Sequence, residues 1–280
     1  MRLFDTHAHL DLPPFGDEAE RLDVVDRAIR AGIRDILIPG VDPGGWRHLL
    51  GVASALAAKR SSVRIHTSIG IHPRAEGDLN RDPEAAVLDR LRAAIATRPV
   101  GLVALGECGL DFGARGRHVP RERQVAVFKA HLTLARETGL PLILHCVRAH
   151  DELRALLCER PTPASVLHSF SGSGELAKLF CRAGHYISLS GAITLPGARK
   201  PIAVARAVPE DRLLIETDCP DQTPAPRRHE TRIVRNEPAF LLDVADSVAQ
   251  ARGATIDHIA AITWANAYRL LGLADADARG

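Results

Sequence analysis

Eight short apolar runs, separated by longer stretches of helical periodicity, punctuate the chain between Arg2 and Thr217, and this alternation restricts the fold more than any other feature. The runs are Arg2 to Asp5, Asp35 to Pro39, Val63 to Ile69, Leu102 to Gly106, Leu142 to Leu144, Val166 to Leu167, Tyr186 to Leu189 and Leu213 to Thr217. The stretches between them read as helices. In Glu122 to Thr138, for example, Val125, Phe128, Leu132 and Ala135 recur at spacings of three and four before Gly139 and Pro141 stop the helix. Repeated strand–helix units return the chain to the same end each time, so the strands pair in parallel, and eight such units close a TIM-type (β/α)8 barrel. No change of composition interrupts the series, and residues 1–280 read as one domain. Prolines keep Pro220 to Pro226 a loop, and two helices are expected after it, Pro238 to Arg252 and Thr255 to Leu271. Thr255 N-caps the second, whose Ile259, Ile262, Ala267 and Leu270 form a face expected to pack on the barrel exterior.

Composition adds exclusions. With 46% hydrophobic and 25% charged residues the chain can bury a large core, and disorder is excluded. No apolar run approaches the roughly 20 residues that cross a bilayer, and the first residues lack the apolar core of a signal peptide, so a cytoplasmic protein without membrane contact is expected. Five cysteines without a CxxC pair exclude a disulfide framework or a thiolate zinc site. A net charge of +2 requires any anionic partner to be held by a local cluster.

In such barrels chemistry collects where strands end, and these ends carry ligand residues. The first run leads into Asp5-Thr6-His7-Ala8-His9, and strand alternation lets His7 and His9 face one point. Run four ends at Glu107, run five at His145, run six at His168, and run eight in Glu216-Thr217-Asp218. One such histidine is an ordinary rim residue, but four imidazoles and two carboxylates from five strand ends are more than barrel packing supplies. They point to a metal site. Six ligands exceed the needs of one tetrahedral ion, so two divalent ions per chain are expected, bridged by Glu107. Nitrogen and oxygen ligands suit zinc or manganese, with magnesium bound through its abundance.

These residues resemble the TatD-type metal-dependent hydrolases of the amidohydrolase superfamily, the TatD deoxyribonucleases. The likeness runs nearly end to end through Asp5-Thr6-His7-Ala8-His9, Gly70-Ile71-His72-Pro73, Gly106-Glu107-Cys108-Gly109-Leu110-Asp111-Phe112, Leu144-His145, His168-Ser169-Phe170-Ser171-Gly172-Ser173, Glu216-Thr217-Asp218-Cys219-Pro220, Asn236-Glu237-Pro238 and Asn266-Ala267. The resemblance implies a metallo-dependent hydrolase barrel acting on DNA phosphodiesters, as a 3′ to 5′ exonuclease or an endonuclease. It also implies that His7, His9, Glu107 and Asp218 hold one ion and Glu107, His145 and His168 the other. Two departures fall on substrate contacts: the arginine after Gly-Leu-Asp-Phe comes one residue late, at Arg115, and the His-x-Arg after strand five becomes His145-Cys146-Val147-Arg148.

Within this reading Glu107 and Asp218 are catalytic, Asp218 as the general base that passes a water proton to the leaving oxygen. Substrate contacts are expected from His72, Arg115, Arg148, Ser171, Arg227 and Arg228, with His72 left between a contact behind the ligands and a simple rim position. Arg115, Arg117, Arg121 and Arg123 would line one side of the rim and Arg227, Arg228, Arg232 and Arg235 the other, with Glu122 and Glu230 offsetting part of the charge. Seven Phe, two Tyr and two Trp give no stacking platform for a long strand, so DNA would bind by a terminus or as a short oligonucleotide, to a monomer or weak oligomer. Two other readings remain open. A hydrolase of the same barrel could cleave a small ester, lactone, amide or aminoacyl bond, and replacing Arg227 and Arg228 would then change little. A non-catalytic, metal-stabilised binding protein would have no need of Asp218. Cys108, Cys146 and Cys219 each follow a ligand residue, and alternation turns them outward to the helix layer.

Overall fold

The computed structural model describes residues 1–75, 83–229, 232, 233 and 235–274, so that Glu230 and the Arg232 side chain lie outside the described residues. Eight strands pair in sequence order, each parallel to the next: β1 (Leu3–Asp5), β2 (Ile33–Pro39), β3 (Arg64–Ile69), β4 (Leu102–Asp111), β5 (Leu142–Val147), β6 (Val166–Leu167), β7 (Tyr186–Leu189) and β8 (Leu213–Ile215). A helix follows each of the first seven: α1 (Glu18–Arg30), α2 (Trp46–Lys59), α3 (Glu84–Ala96), α4 (Arg121–Thr138), α5 (His150–Glu159), α6 (Gly174–Arg182) and α7 (Arg199–Ala207). After β8 come a two-stranded antiparallel hairpin of Arg228–His229 with Arg232–Ile233, then α8 (Leu241–Arg252) and α9 (Ile256–Leu271). The expected TIM-type barrel is present. Local signals act as read: Thr255 caps α9 by accepting from His258 N–H, and Gly139, left-handed at φ +74, ends α4. Among the described residues no helix is long and apolar enough to cross a membrane.

The barrel closes by side-chain and loop contacts. Between β8 and β1 the described residues form one bridge, Ala8 with Cys219, rather than a ladder. His9 N–H donates to Cys219 O at 2.9 Å and Asp218 N–H to His7 O at 2.9 Å. Below them the wholly buried Asp5 carboxylate accepts from Thr217 N–H at 2.9 Å and from the Thr217 hydroxyl at 2.6 Å. β1 ends at Asp5, where its run ends, and the chain past it leaves the sheet to meet β8.

Alternation splits the core in two. Outward residues such as Leu3, Ile36, Leu105, Leu144, Ile187 and Ile215 pack under the helices. Inward residues Phe4, Leu37, Ala104, Ile143, Val166, Tyr186 and Leu214 fill the lumen at the end away from the histidines. The expected exterior position of the last helix holds only for its first half. Ile259 and Ala260 join the outer layer, whereas Ala267, Tyr268, Leu270 and Leu271 pack with the lumen residues and plug the barrel floor. An unread polar contact fixes this plug: Asp35 accepts from Arg64 at 2.8 and 2.9 Å, from His66 at 2.9 Å, from Tyr268 OH at 3.1 Å and from Trp264 Nε1 at 3.2 Å.

Loss of the seam carboxylate leaves buried donors unpaired, and Asp5→Ala should lower unfolding free energy by roughly 2–4 kcal/mol in urea titrations. Burial pushes Asp5 up from 3.8 to about 7, against the Thr217 and His7 donors. The native fold thus holds this proton more tightly than the unfolded chain, and its contribution is complete in acid and lost as pH rises toward 7. The deficit of Asp5→Asn, which cannot ionise, should shrink between about pH 4 and about pH 7. A deficit that grows would show an ionised Asp5.

Candidate metal centre

A bulge in β4 brings Glu107 into the lumen. Leu105 pairs with Leu142 but Cys108 pairs with Leu144, so Gly106 and Glu107 together oppose Ile143. The turn needs glycine: Gly106 has φ +126, and a Cβ there would lie 2.5 Å from Ile143 O. On the other side a Cβ on Gly70 would lie 2.3 Å from Gly106 Cα, so β3 can approach only because it is bare. β4 then runs on to Asp111, five residues beyond the expected end at Gly106, and places a further carboxylate at the site.

The two oxygens of Glu107 face different groups. Oε2 lies 3.4 Å from His7 Nε2 and 3.5 Å from His9 Nε2, which are themselves 3.0 Å apart. Oε1 lies 2.9 Å from His145 Nδ1 and 2.8 Å from His168 Nε2, which are 3.1 Å apart. Asp218 stands on the open side, with Oδ1 3.7 Å from His7 Nε2. All six residues named as ligands are thus brought to one place. Behind them, His145 Nε2 lies 3.4 Å from Asp111 Oδ2, and His168 Nδ1 lies 3.3 Å from Glu216 Oε1. Neither carboxylate was assigned from sequence. Asp111 was hidden by the bulge, and Glu216 lay in a recognised motif, its strand parity the available signal.

The donor set fits divalent cations. Imidazole nitrogens facing one another in a buried site repel unless a proton or a cation lies between them. Spacings near 3 Å match neighbouring corners of a coordination shell with bonds of about 2.0–2.2 Å, and a carboxylate behind an imidazole is the usual support of a ligating histidine. Burial alone would raise Glu107, but His168, His72 and His7 outweigh it and hold the carboxyl well below its ordinary value. His7 is lowered by burial and by His168, whose ring stacks on it at 4.0 Å.

His72 belongs to this cluster rather than to the rim. Its Nδ1 accepts from Arg74 N–H at 3.0 Å, and burial holds the ring down to about 4. The neutral ring therefore carries its proton on Nε2, which donates to Glu107 Oε1 at 3.1 Å. The orienting contact runs deeper: buried His131 of α4 accepts from Ile71 N–H at 3.1 Å and so fixes the loop that carries His72.

Comparison with known proteins agrees with this geometry. The family model for TatD related DNase matches residues 4–272. The chain belongs to the TatD family. It is 34% identical over 270 residues to the metal-dependent hydrolase YabD of Bacillus subtilis, covering 96% of this chain and 98% of that protein. It is 33% identical over 282 residues to the 3′-5′ ssDNA/RNA exonuclease TatD of Enterobacter lignolyticus, covering 97% and 100%. The crystal structure of YjjV, a TatD homologue from Escherichia coli K12, matches with a TM-score of 0.82 at 32% identity, over 98% of this chain and 99% of that one. This protein is a TatD-family metal-dependent hydrolase.

In this TatD chain the centre opens into a cleft of about 1040 Å³. Of the expected substrate contacts, His72, Arg115, Ser171 and Arg228 line it. Arg227 and Arg148 do not. Arg227 donates to Asp243 Oδ2 at 2.7 Å and lies over the Phe240 ring, drawn to α8 by charge and by packing. Arg148 lines a smaller cavity beside Asp111. Arg74 and Lys200 line the cleft unforeseen, as does Gln222, whose Nε2 donates to Asp218 Oδ2 at 2.6 Å and whose Oε1 accepts from Ser190 at 2.8 Å. Gln222 fixes the rotation of Asp218.

Cys108, Cys146 and Cys219 pack in the outer layer, as alternation requires. Burial pushes the Cys146 thiol up to about 12 and raises the other two well above the ordinary range, which disfavours the thiolate a metal would need. Replacing each of the three by Ala should leave metal content, read by elemental analysis, unchanged. Loss of metal from any one would place that sulfur at the centre.

Proposed function

We propose that this TatD protein hydrolyses phosphodiester bonds of DNA at two divalent ions, one held by His7, His9, Glu107 and Asp218 and the other by Glu107, His145 and His168. The observation that carries this reading is the Glu107 carboxylate, whose two oxygens face two separate pairs of imidazoles while Asp218 faces the cleft. A relative named a 3′-5′ ssDNA/RNA exonuclease supports a nucleic-acid substrate. So do the Arg115, Lys200 and Arg228 cations on the cleft wall, which complement a phosphate backbone.

When bound, the ions would lower the pKa of water to about 7 and withdraw charge from phosphate oxygens; zinc and manganese suit the donor set, and magnesium would bind through its abundance. The protein supplies the rest. Asp218, its Oδ2 held by Gln222, keeps Oδ1 toward the centre, takes the proton of the attacking water and returns it to the leaving oxygen. Neutral His72 donates to Glu107 Oε1 and keeps the carboxylate from rotating away. Asp111 and Glu216 hold His145 and His168 with their inner nitrogens turned to the centre. The rim cations orient the strand, with Arg115 and Arg228 as the foreseen members.

Two substitutions separate ligand from base. Glu107→Gln should lose metal and activity together, whereas Asp218→Asn should keep at least one ion and cleave a 3′-labelled oligonucleotide about 10²- to 10⁴-fold more slowly. An Asp218→Asn enzyme that keeps its ions and its rate would remove Asp218 from the proton path. The substrate class is tested by loading stripped protein with each ion and offering single-stranded DNA, double-stranded DNA, RNA and small esters. Turnover of esters alone would replace the nuclease reading with the small-molecule one, and Arg228→Gln and Lys200→Gln would then change little.

A further inference from the structure

A second cavity, about 370 Å³, opens beside the candidate centre and shares Asp111 with it as part of its wall. Arg117 from the loop after β4, Arg121 from the first turn of α4 and Arg148 from the loop after β5 line it together. Resting on the phosphodiester reading, we infer that this cavity is a second phosphate subsite, taking a phosphodiester group of the same strand whose scissile bond lies at Glu107 and Asp218.

The pocket is built by the fold. Gln124 of α4 donates to the carbonyls of Asp111, Gly116 and Val119 at 3.0–3.1 Å and accepts from Asp111 N–H at 2.7 Å, which folds the loop after β4 around one buried amide. Gly116 closes the turn, since a Cβ there would lie 2.1 Å from Asp111 O. Arg121 lies over the Phe112 ring at 4.5 Å, so its guanidinium plane is fixed while its N–H edge stays available. Arg148 adopts φ +52, a conformation uncommon for residues with a side chain and one that recurs at ligand sites.

Charge selects an anion. Among the described residues none of the three arginines has an ion-pair partner, whereas most of the other arginine side chains on this face are engaged. Arg74 meets Asp111, Arg227 meets Asp243 and Arg235 meets Glu20. The carboxylate in the wall is already satisfied, with Asp111 Oδ1 accepting from Gly113 N–H at 2.8 Å and Oδ2 from Arg74 Nε at 2.5 Å. Glu122, in the first turn of α4, points to solvent. Three unneutralised guanidinium groups around one cavity match the planar, multidentate recognition of a phosphate. Asp111 touches both the cavity and His145, so a single strand passing Arg115 can reach both sites.

The test compares a substrate with one phosphodiester, bis(4-nitrophenyl) phosphate, with an eight-nucleotide oligothymidylate on metal-loaded enzyme. Arg117→Gln/Arg121→Gln should raise KM for the oligonucleotide roughly 10- to 100-fold with kcat held, and leave both constants for the small diester unchanged. The slope of log affinity for the oligonucleotide against log salt should fall by about 0.7, the value for one phosphate contact on a single strand. An unchanged KM for the oligonucleotide would overturn the subsite. Equal losses on both substrates with a lowered melting temperature would also overturn it, by assigning the arginines to the fold. If wild-type enzyme cleaves neither phosphodiester, the nuclease reading falls, and the subsite is judged by anisotropy of a labelled oligothymidylate: binding equal in wild type and variant overturns it, and weakened binding with the lower salt slope sustains it.

Discussion

The contact on which this structure depends is the seam between its first and last strands. A parallel barrel must join β8 to β1, and here the joint is made by Asp5 on Thr217, by Thr6 on Ile215 O and by backbone hydrogen bonds between the segments that carry His7, His9 and Asp218. Barrel closure and placement of half the candidate ligands are therefore one event. A chain that failed to close would hold His7 and Asp218 on separate edges. The opposite wall is set by a different device, the β4 bulge, which turns Glu107 inward against two bare glycines.

The architecture was legible because parallel pairing follows from the repeat of short apolar runs and long helical stretches, and because His145 and His168 close apolar runs at the barrel end where chemistry collects. What escaped had no local signal. The extension of β4 to Asp111 depends on a bulge that shows in sequence only as Gly106, and the plugging of the floor by α9 depends on Asp35, which reads as one polar residue in an apolar strand. The expectation for Arg148 rests on the family's arginine after strand five, and that for Arg227 on its place in the loop after strand eight. In space the one belongs to a neighbouring cavity, and the other finds a carboxylate on α8 nearer than any substrate.

Around the centre the imidazoles are held in pairs, and each pair shares one oxygen of Glu107, so that no histidine is oriented by a single contact. Asp111 and Glu216 face His145 and His168 from behind at 3.4 and 3.3 Å, and His72 is held by a backbone amide and by His131 through Ile71. Substitutions several residues from any ligand can thus disturb the centre through its supports, and such supports lie on α4 and on the loops after β3 and β7.

The helical plug at the floor bears on how the protein is made. During synthesis the eight strands emerge before α9, yet among the described residues the lumen layer of Phe4, Leu37, Ile143, Val166 and Leu214 packs against Ala267, Tyr268, Leu270 and Leu271 of that last helix. Until then a nascent chain on the ribosome exposes an apolar, open-ended cylinder that would attract holdase chaperones or other nascent chains. Asp35 in β2 accepts from the Tyr268 hydroxyl and the Trp264 ring nitrogen, so the last helix to be made is tied to one of the first strands.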